Sequence, residues 1–219
     1  MKKTYLIAIV LGLAQTGWAV SVLPYTESFE VNSSGWVYAS SSAPTWSASG
    51  GVDNSGYISA PATVSGTGFG AIVFRGNDAN NASGDAFVGN WLSAGVTGFS
   101  AYVRHDADVA LKFYARLDAG FGRAGSSVDF LVAPNVWSLI NFSIVDSPSS
   151  FQSYGGGTFS TVFSAIQNVQ IALSVDTVNA GKSLNVAVDN VSIIPEPGTL
   201  GLLVVAGGFA LWRRREARS

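Results

Sequence analysis

The sequence predicts an all-β chain folded as an antiparallel β-sandwich, on three observations. Short apolar runs alternate with polar residues at period two, clusters of Gly, Ser, Asn and Asp separate them, and Gly, Ser, Thr, Val, Ala and Asn dominate while Lys, Glu and Leu are scarce between residues 20 and 194. The roughly 175 residues of that span suit one domain with one core. The absence of cysteine excludes disulfide staples and thiol chemistry, so stability rests on packing, helped at most by a metal. No fixed-period repeat points to a propeller or solenoid.

Tyr25–Glu30, Trp36–Ala39, Thr45–Ala48 and Tyr57–Ala60 read as the first strands, divided by Asn32-Ser33-Ser34-Gly35 and the loop Gly50–Gly56. Gly68–Phe74 carries apolar residues on both faces, Phe69, Ala71 and Val73 against Ile72 and Phe74, as a central strand does. After the long loop Gly76–Gly84 a strand is expected through Phe87, Val88 and Trp91. Phe99–Arg104 and Val109–Leu117 alternate strictly. Phe99, Ala101, Val103, Val109, Leu111, Phe113, Ala115 and Leu117 form the inner rows, and His105-Asp106-Ala107-Asp108 fits a tight hairpin turn. Val128–Ala133 and Val136–Ile144 predict a second hairpin around Pro134-Asn135, followed by the Ser/Gly-rich loop Ser147–Gly157. Thr161–Ile166 fits one helical turn or a strand; Val169–Val175 and Ser183–Ile194 are the last strands. Trp36, Trp46, Phe69, Phe74, Phe113, Phe130 and Phe142 are the aromatic core expected from this register.

Both termini carry addressing signals. Lys2 and Lys3 precede an apolar run from Tyr5 to Ala14 and a small-residue site at Gly17-Trp18-Ala19, the pattern of a secretory signal peptide occupying residues 1–19, with cleavage after Ala19 or alternatively Ser21. Residues 195–219 hold Pro195, Glu196 and Pro197, an apolar run from Leu200 to Trp212, and Arg213, Arg214 and Arg215. As a helix that run reaches only about 20 Å, short of a hydrocarbon core of about 30 Å, and the arginines favour a cytoplasmic end. It is a short transmembrane helix ending in a basic stop. Setting both signals aside leaves 6 basic and 13 acidic residues in the mature segment 20–197, a net charge near −7 that excludes nucleic acid as an expected partner.

The order of triplet, short apolar helix and arginine cluster resembles the PEP-CTERM sorting domain of Gram-negative bacteria. That resemblance implies passage through the secretion machinery, a transient stay in the inner membrane, cleavage near Pro195-Glu196-Pro197 by an exosortase, and a mature form at the cell surface or outside the cell. The opening YTESFE…GW…W…NSGYIS and the closing VAVDNVSII look like the two ends of jelly-roll domains found on such surface proteins and in some carbohydrate-binding modules. Together the resemblances imply a non-catalytic surface or matrix protein associated with exopolysaccharide or biofilm. A carbohydrate-binding module acting alone is the alternative, and a polysaccharide-degrading enzyme a further one.

Two candidate sites follow. The jelly-roll resemblance implies a structural calcium tying first strand to last through Glu30 and Asp189, with Asp53 and backbone carbonyls completing the roughly six to eight oxygens calcium takes. Tyr102, Arg104, Lys112, Tyr114 and Arg116 fall on one side of what read as adjacent strands, where flat rings suit sugar faces and cations suit hydroxyls or acidic sugars; an ordinary cross-strand ladder uses the same residues. His105 beside Asp106 and Asp108 is expected as a solvated turn. Glycosidases need two carboxylates about 5 to 9 Å apart, and nothing in the spacing of Asp118, Asp129 and Asp146 selects a pair. No nucleophile elbow, phosphate loop or zinc-protease motif occurs, so no catalytic residue is assigned.

Overall fold

Period-two alternation gives each strand one apolar side, and in this chain two sheets close those sides against each other. The computed structural model describes residues 23–39, 41–120 and 122–195; the signal peptide, Glu196, Pro197, the apolar run and its arginines lie outside them. In chain order the strands are β1 (Tyr25–Glu27), β2 (Val37–Tyr38), β3 (Thr45–Ser47), β4 (Tyr57–Thr63), β5 (Ala71–Asn77), β6 (Val96–His105), β7 (Leu111–Asp118), β8 (Ala124–Ser126), β9 (Phe130–Val132), β10 (Ser138–Ser143), β11 (Gln152–Tyr154), β12 (Asn168–Leu173) and β13 (Ser183–Pro195), with one short helix, α1 (Phe159–Phe163), before β12. Sheet one runs β10-β6-β13-β4-β3 with β1 also on β13, and sheet two runs β11-β8-β7-β12-β5-β2 with β9 also on β7. Every named pair is antiparallel. Among the described residues no helix is long and apolar enough to cross a membrane.

The all-β sandwich is therefore as expected, but its connectivity is not. β6 and β7 are joined by a short link yet lie in different sheets, as do β9 and β10, so neither predicted hairpin exists. The cause is burial: Phe99, Ala101 and Val103 on β6 and Leu111, Phe113, Ala115 and Leu117 on β7 are all buried, and facing sheets cover both rows at once. Phe87, Val88 and Trp91 form no strand. They sit in a turn held by the Trp91 Nε1 donation to the Phe87 carbonyl at 2.9 Å and by a bridge between Gly89 and Ile166. α1 takes the helical option for the segment after residue 157, capped by Thr158, whose hydroxyl accepts from the Thr161 amide.

Trp36 lies at the centre of one end of the core, edge-on to Phe29 at 5.8 Å and to Phe87 at 5.7 Å. Gly76 faces it, and a Cβ there would stand 2.7 Å from the indole. Two of the expected core aromatics are not inside: Trp46 of β3 is 38% exposed, its indole donating to the Phe29 carbonyl, and Phe69 is 73% exposed because Gly68–Gly70 precedes β5 rather than belonging to it. Replacing the fully enclosed Trp36 with Ala is expected to lower unfolding free energy by about 3–5 kcal/mol, measured by urea titration; a loss under ~1 kcal/mol would contradict this packing.

Candidate functional site

The outer face of sheet two carries the most developed surface site. On β7 the outward positions are Lys112, Tyr114, Arg116 and Asp118, since the alternate residues fill the core. Gln170 of β12 lies directly between Arg116 and Arg75 of β5 in the strand register. Arg116 Nη1 donates to Asp118 Oδ2 at 3.1 Å and to Gln170 Oε1 at 2.8 Å, and its guanidinium sits 5.5 Å from the centre of the Tyr154 ring. Tyr154 in turn stacks on Phe69, centroids 5.5 Å apart and planes at 25°. These rings border a groove of about 500 Å³ whose lining includes Tyr114, Ser126, Asp129 and Ser174.

Local backbone chemistry places both rings. Tyr114 donates its hydroxyl to the Phe69 carbonyl and so pins the exposed loop before β5. Tyr154 ends β11 opposite Ala124 of β8, and nearby Phe151 packs against Gly125, where an added Cβ would stand 1.8 Å from its ring. Asp129 accepts from Ser174 Oγ at 2.5 Å and pairs with Lys112 at 3.9 Å. Burial pushes the Tyr154 phenol up to about 12, with Arg116 partly opposing it, and burial likewise raises Tyr114. Both hydroxyls stay protonated and can donate.

The five residues expected on one face are split. Lys112, Tyr114 and Arg116 are on sheet two, whereas Tyr102 and Arg104 are on the outer face of sheet one, because the chain changes sheets between β6 and β7. There Arg104 stands over Trp137 at 4.6 Å and Tyr57 at 5.3 Å and donates to the Gly50 carbonyl at 3.3 Å, which also accepts from Trp137 Nε1 at 3.1 Å. His105 is no solvated turn residue: it is 2% exposed, stacked on Phe113 at 5.6 Å, with Nε2 3.0 Å from the Val132 carbonyl oxygen. Asp106 and Asp108 are engaged apart from it, accepting from Asn185 N at 2.7 Å and Lys182 Nζ at 2.7 Å.

Asp189 is fully buried on β13 under the Gly50–Gly56 loop. Its Oδ2 accepts from Val52 N at 2.8 Å and Ser55 Oγ at 2.6 Å, and its Oδ1 from Asn190 N at 2.6 Å. Burial raises its carboxyl above the usual range, as does the nearby Glu30 charge to a lesser degree, while those hydrogen bonds pull it back. Glu30 Oε2 accepts from Gly56 N at 3.4 Å, so the loop brings the two acids to one place. Among the described residues no three His, Cys, Asp or Glu side chains are arranged to hold a metal ion, so Asp53 does not complete a trio with them. Gly51 is closely packed there: a Cβ would come within 2.6 Å of Asp189 Oδ2 and 2.7 Å of the Gly56 carbonyl oxygen. Two carboxylates and loop carbonyls are a donor set of the calcium type.

Sequence reasoning missed Phe69 as a surface residue, and it missed Arg75, Tyr154 and Gln170. The Gly155-Gly156-Gly157 run was the available signal for a loop folded tightly enough to present Tyr154, since Gly155 and Gly156 take positive φ of 63° and 75°.

The sequence matches no protein-family model and no curated protein. Solved structures do resemble the fold. An exo-β-agarase aligns with a TM-score of 0.51 at 9% identity over 78% of this chain and 25% of its own. The N-terminal CBM22-1–GH10 modules of Clostridium thermocellum endo-1,4-β-D-xylanase 10B, complexed with xylohexaose, align at 0.49 and 14% over 78% and 28%. The C-terminal family 22 carbohydrate-binding module of the same organism's Xyn10B aligns at 0.47 and 13% over 79% and 94%. The chain thus spans about a quarter of the length of the first two. The agarase match shows a shared sandwich fold.

The raised Tyr154 phenol has a consequence at alkaline pH. Its folded value exceeds the unfolded value of about 10, so its contribution is fully present below pH ~10 and is lost as pH rises through about 12. Tyr154→Phe should therefore flatten the decline of stability across that window, as followed by urea unfolding at stepped pH; identical pH profiles for the two proteins would contradict the buried environment.

Proposed function

We propose that the chain is an exported, non-catalytic glycan-binding domain and that its ligand lies in the groove on the outer face of sheet two. The observation that carries this reading is the open Phe69 ring stacked on Tyr154 beside the hydrogen-bonding groups of Ser126, Asp129 and Arg116. Sugar rings present C–H faces that pack on aromatic planes and hydroxyl edges that need donors and acceptors, and this groove offers both kinds of surface. The state of the local carboxylates supports binding over cleavage. Asp118 is tied to Arg116 and the Gly120 amide, and Asp129 to Ser174 and Lys112, so each already serves as an acceptor within the sheet.

In this proposal the terminal signals deliver the domain to its ligand. β13 ends at Pro195, so the sandwich finishes where the Pro-Glu-Pro triplet begins. An exosortase cutting near that triplet would release the domain from the inner membrane of a Gram-negative cell to the surface, where extracellular polysaccharide is the partner. A calcium ion held by Glu30 and Asp189 would tie the end of the first strand segment to β13 on the opposite sheet from the groove.

Three measurements test these statements. Phe69→Ala and Tyr154→Ala should each weaken retention of the full-length chain on a responsive polysaccharide about tenfold, ~1.4 kcal/mol, in affinity electrophoresis, while Tyr102→Ala on the other face leaves it unchanged; the reverse pattern would move the site to sheet one. Chelator should lower the melting temperature of the wild type and not of Asp189→Asn, and an unmoved wild-type transition removes calcium from the account. Mass spectrometry of the protein from its native host should find no peptide from Leu200 to Trp212 in the mature form; its retention would replace sorting by simple anchoring.

A further inference from the structure

Beside the Trp36 end of the core the chain buries an acid with no cation next to it. Glu27 of β1 is 9% exposed. Its Oε1 accepts from the Phe29 amide at 2.9 Å and its Oε2 from the Tyr25 hydroxyl at 3.3 Å. Among the described residues no Lys, Arg or His forms an ion pair with it. Buried charges in proteins are paired or coordinate a metal, because burial removes the hydration that stabilises an isolated one.

Glu27 lines a polar hollow of about 450 Å³ between β1 and the loops 32–35 and 80–84, together with Tyr25, Gly35, Asn80, Asn81 and Ser83. Left-handed backbone at Ser34, Gly35, Asn81, Ser83 and Gly84 folds both loops tightly, and the Ser83 amide locks them together by donating to the Ser34 carbonyl at 2.7 Å. That lock packs the Asn80 and Asn81 carbonyl oxygens against Gly35, 2.6 and 3.3 Å from where a Cβ would stand. The Tyr25 hydroxyl lies 3.3 Å from Glu27 Oε2 and 3.4 Å from the Ser83 carbonyl oxygen, and its one proton serves one of them at a time. Among the described residues no basic side chain lines the hollow. Its wall therefore carries one negative charge and several acceptor oxygens, which is the donor set of a hard cation.

We propose that this hollow binds a monovalent alkali cation, sodium or potassium, through the Glu27 carboxylate and the loop carbonyls. The charge count selects the valence: one carboxylate balances one positive charge, whereas calcium sites gain affinity from several. The site is separate from the Glu30 and Asp189 pair under the Gly50–Gly56 loop, and it is independent of the glycan-binding reading. Its bound ion fastens β1 to both loops. Ser83 Oγ also accepts from Trp36 Nε1 at 2.8 Å, so the loop that the ion holds is the one that holds the central indole. The ion thus stabilises the end of the core built around Trp36.

The test follows thermal unfolding of the full-length chain in sodium, potassium and choline chloride at equal ionic strength, with chelator present throughout so that no divalent ion contributes. Choline carries the same charge but is too large for an oxygen-lined hollow, so it controls for screening of the acidic surface. Sodium or potassium is expected to raise the melting temperature above the choline value, with an increment that grows with concentration, and the more stabilising ion is the occupant. E27Q should remove the difference. Amide NMR titration of the wild type locates the site even if that variant folds poorly: the stabilising ion should shift the signals of Gly35 and of residues 80–84 where choline does not. Equal melting temperatures in the three salts would overturn the site. So would an alkali-ion advantage that persists in E27Q, or ion-specific shifts confined to other parts of the chain.

Discussion

The passage of the chain from one sheet to the other between His105 and Leu111 decides which side chains of this protein can act together. A two-residue hairpin would have put β6 and β7 side by side, with Tyr102, Arg104, Tyr114 and Arg116 on a common surface. Instead His105 turns inward onto Phe113 and the Val132 carbonyl, and the link crosses over the edge of the core. β7 then pairs with β12, and that pairing makes Arg116 a neighbour of Gln170 and, one strand further, of Arg75. The two outer faces consequently differ. Sheet one closes its arginine under Tyr57, Trp137 and the Gly50 carbonyl, whereas sheet two leaves an aromatic wall and a donor row beside an open groove.

Most of the fold was legible because alternation is a local signal. The inward rows of β6 and β7 fall at the residues that alternation marks, since a period of two leaves no choice of face once one side must be buried. Partner strands are a different matter: nothing in Val96–Leu117 says whether the second strand folds beside the first or across the core from it. That choice depends on the total apolar area on both strands' inner rows, which only a facing sheet can cover. Phe69 misled for a related reason. Its apolar character suggested core, but the glycines on either side release it from the strand, and Tyr114 holds its backbone at the surface.

The site was legible by halves. Lys112, Tyr114 and Arg116 stood out as an outward row on one strand, and they remain together. Arg75, Tyr154 and Gln170 come from segments 16 to 95 residues apart, joined by sheet register. Glu30 and Asp189 were named through a resemblance of the chain's two ends, and the loop between β3 and β4 brings them together without Asp53. The export signals expected at residues 1–19 and 195–219 lie, Pro195 apart, outside the described residues.

We place the proposed glycan site on the outer face of sheet two. An aromatic-region NMR titration of the protein with a polysaccharide that retains it in gels reports on that face directly, because Phe69 and Tyr154 lie on sheet two while Tyr57 and Trp137 lie on sheet one. Saturable shifts of the Phe69 and Tyr154 ring signals are expected, with those of Tyr57 and Trp137 unmoved. Shifts confined to Tyr57 and Trp137 would contradict that placement.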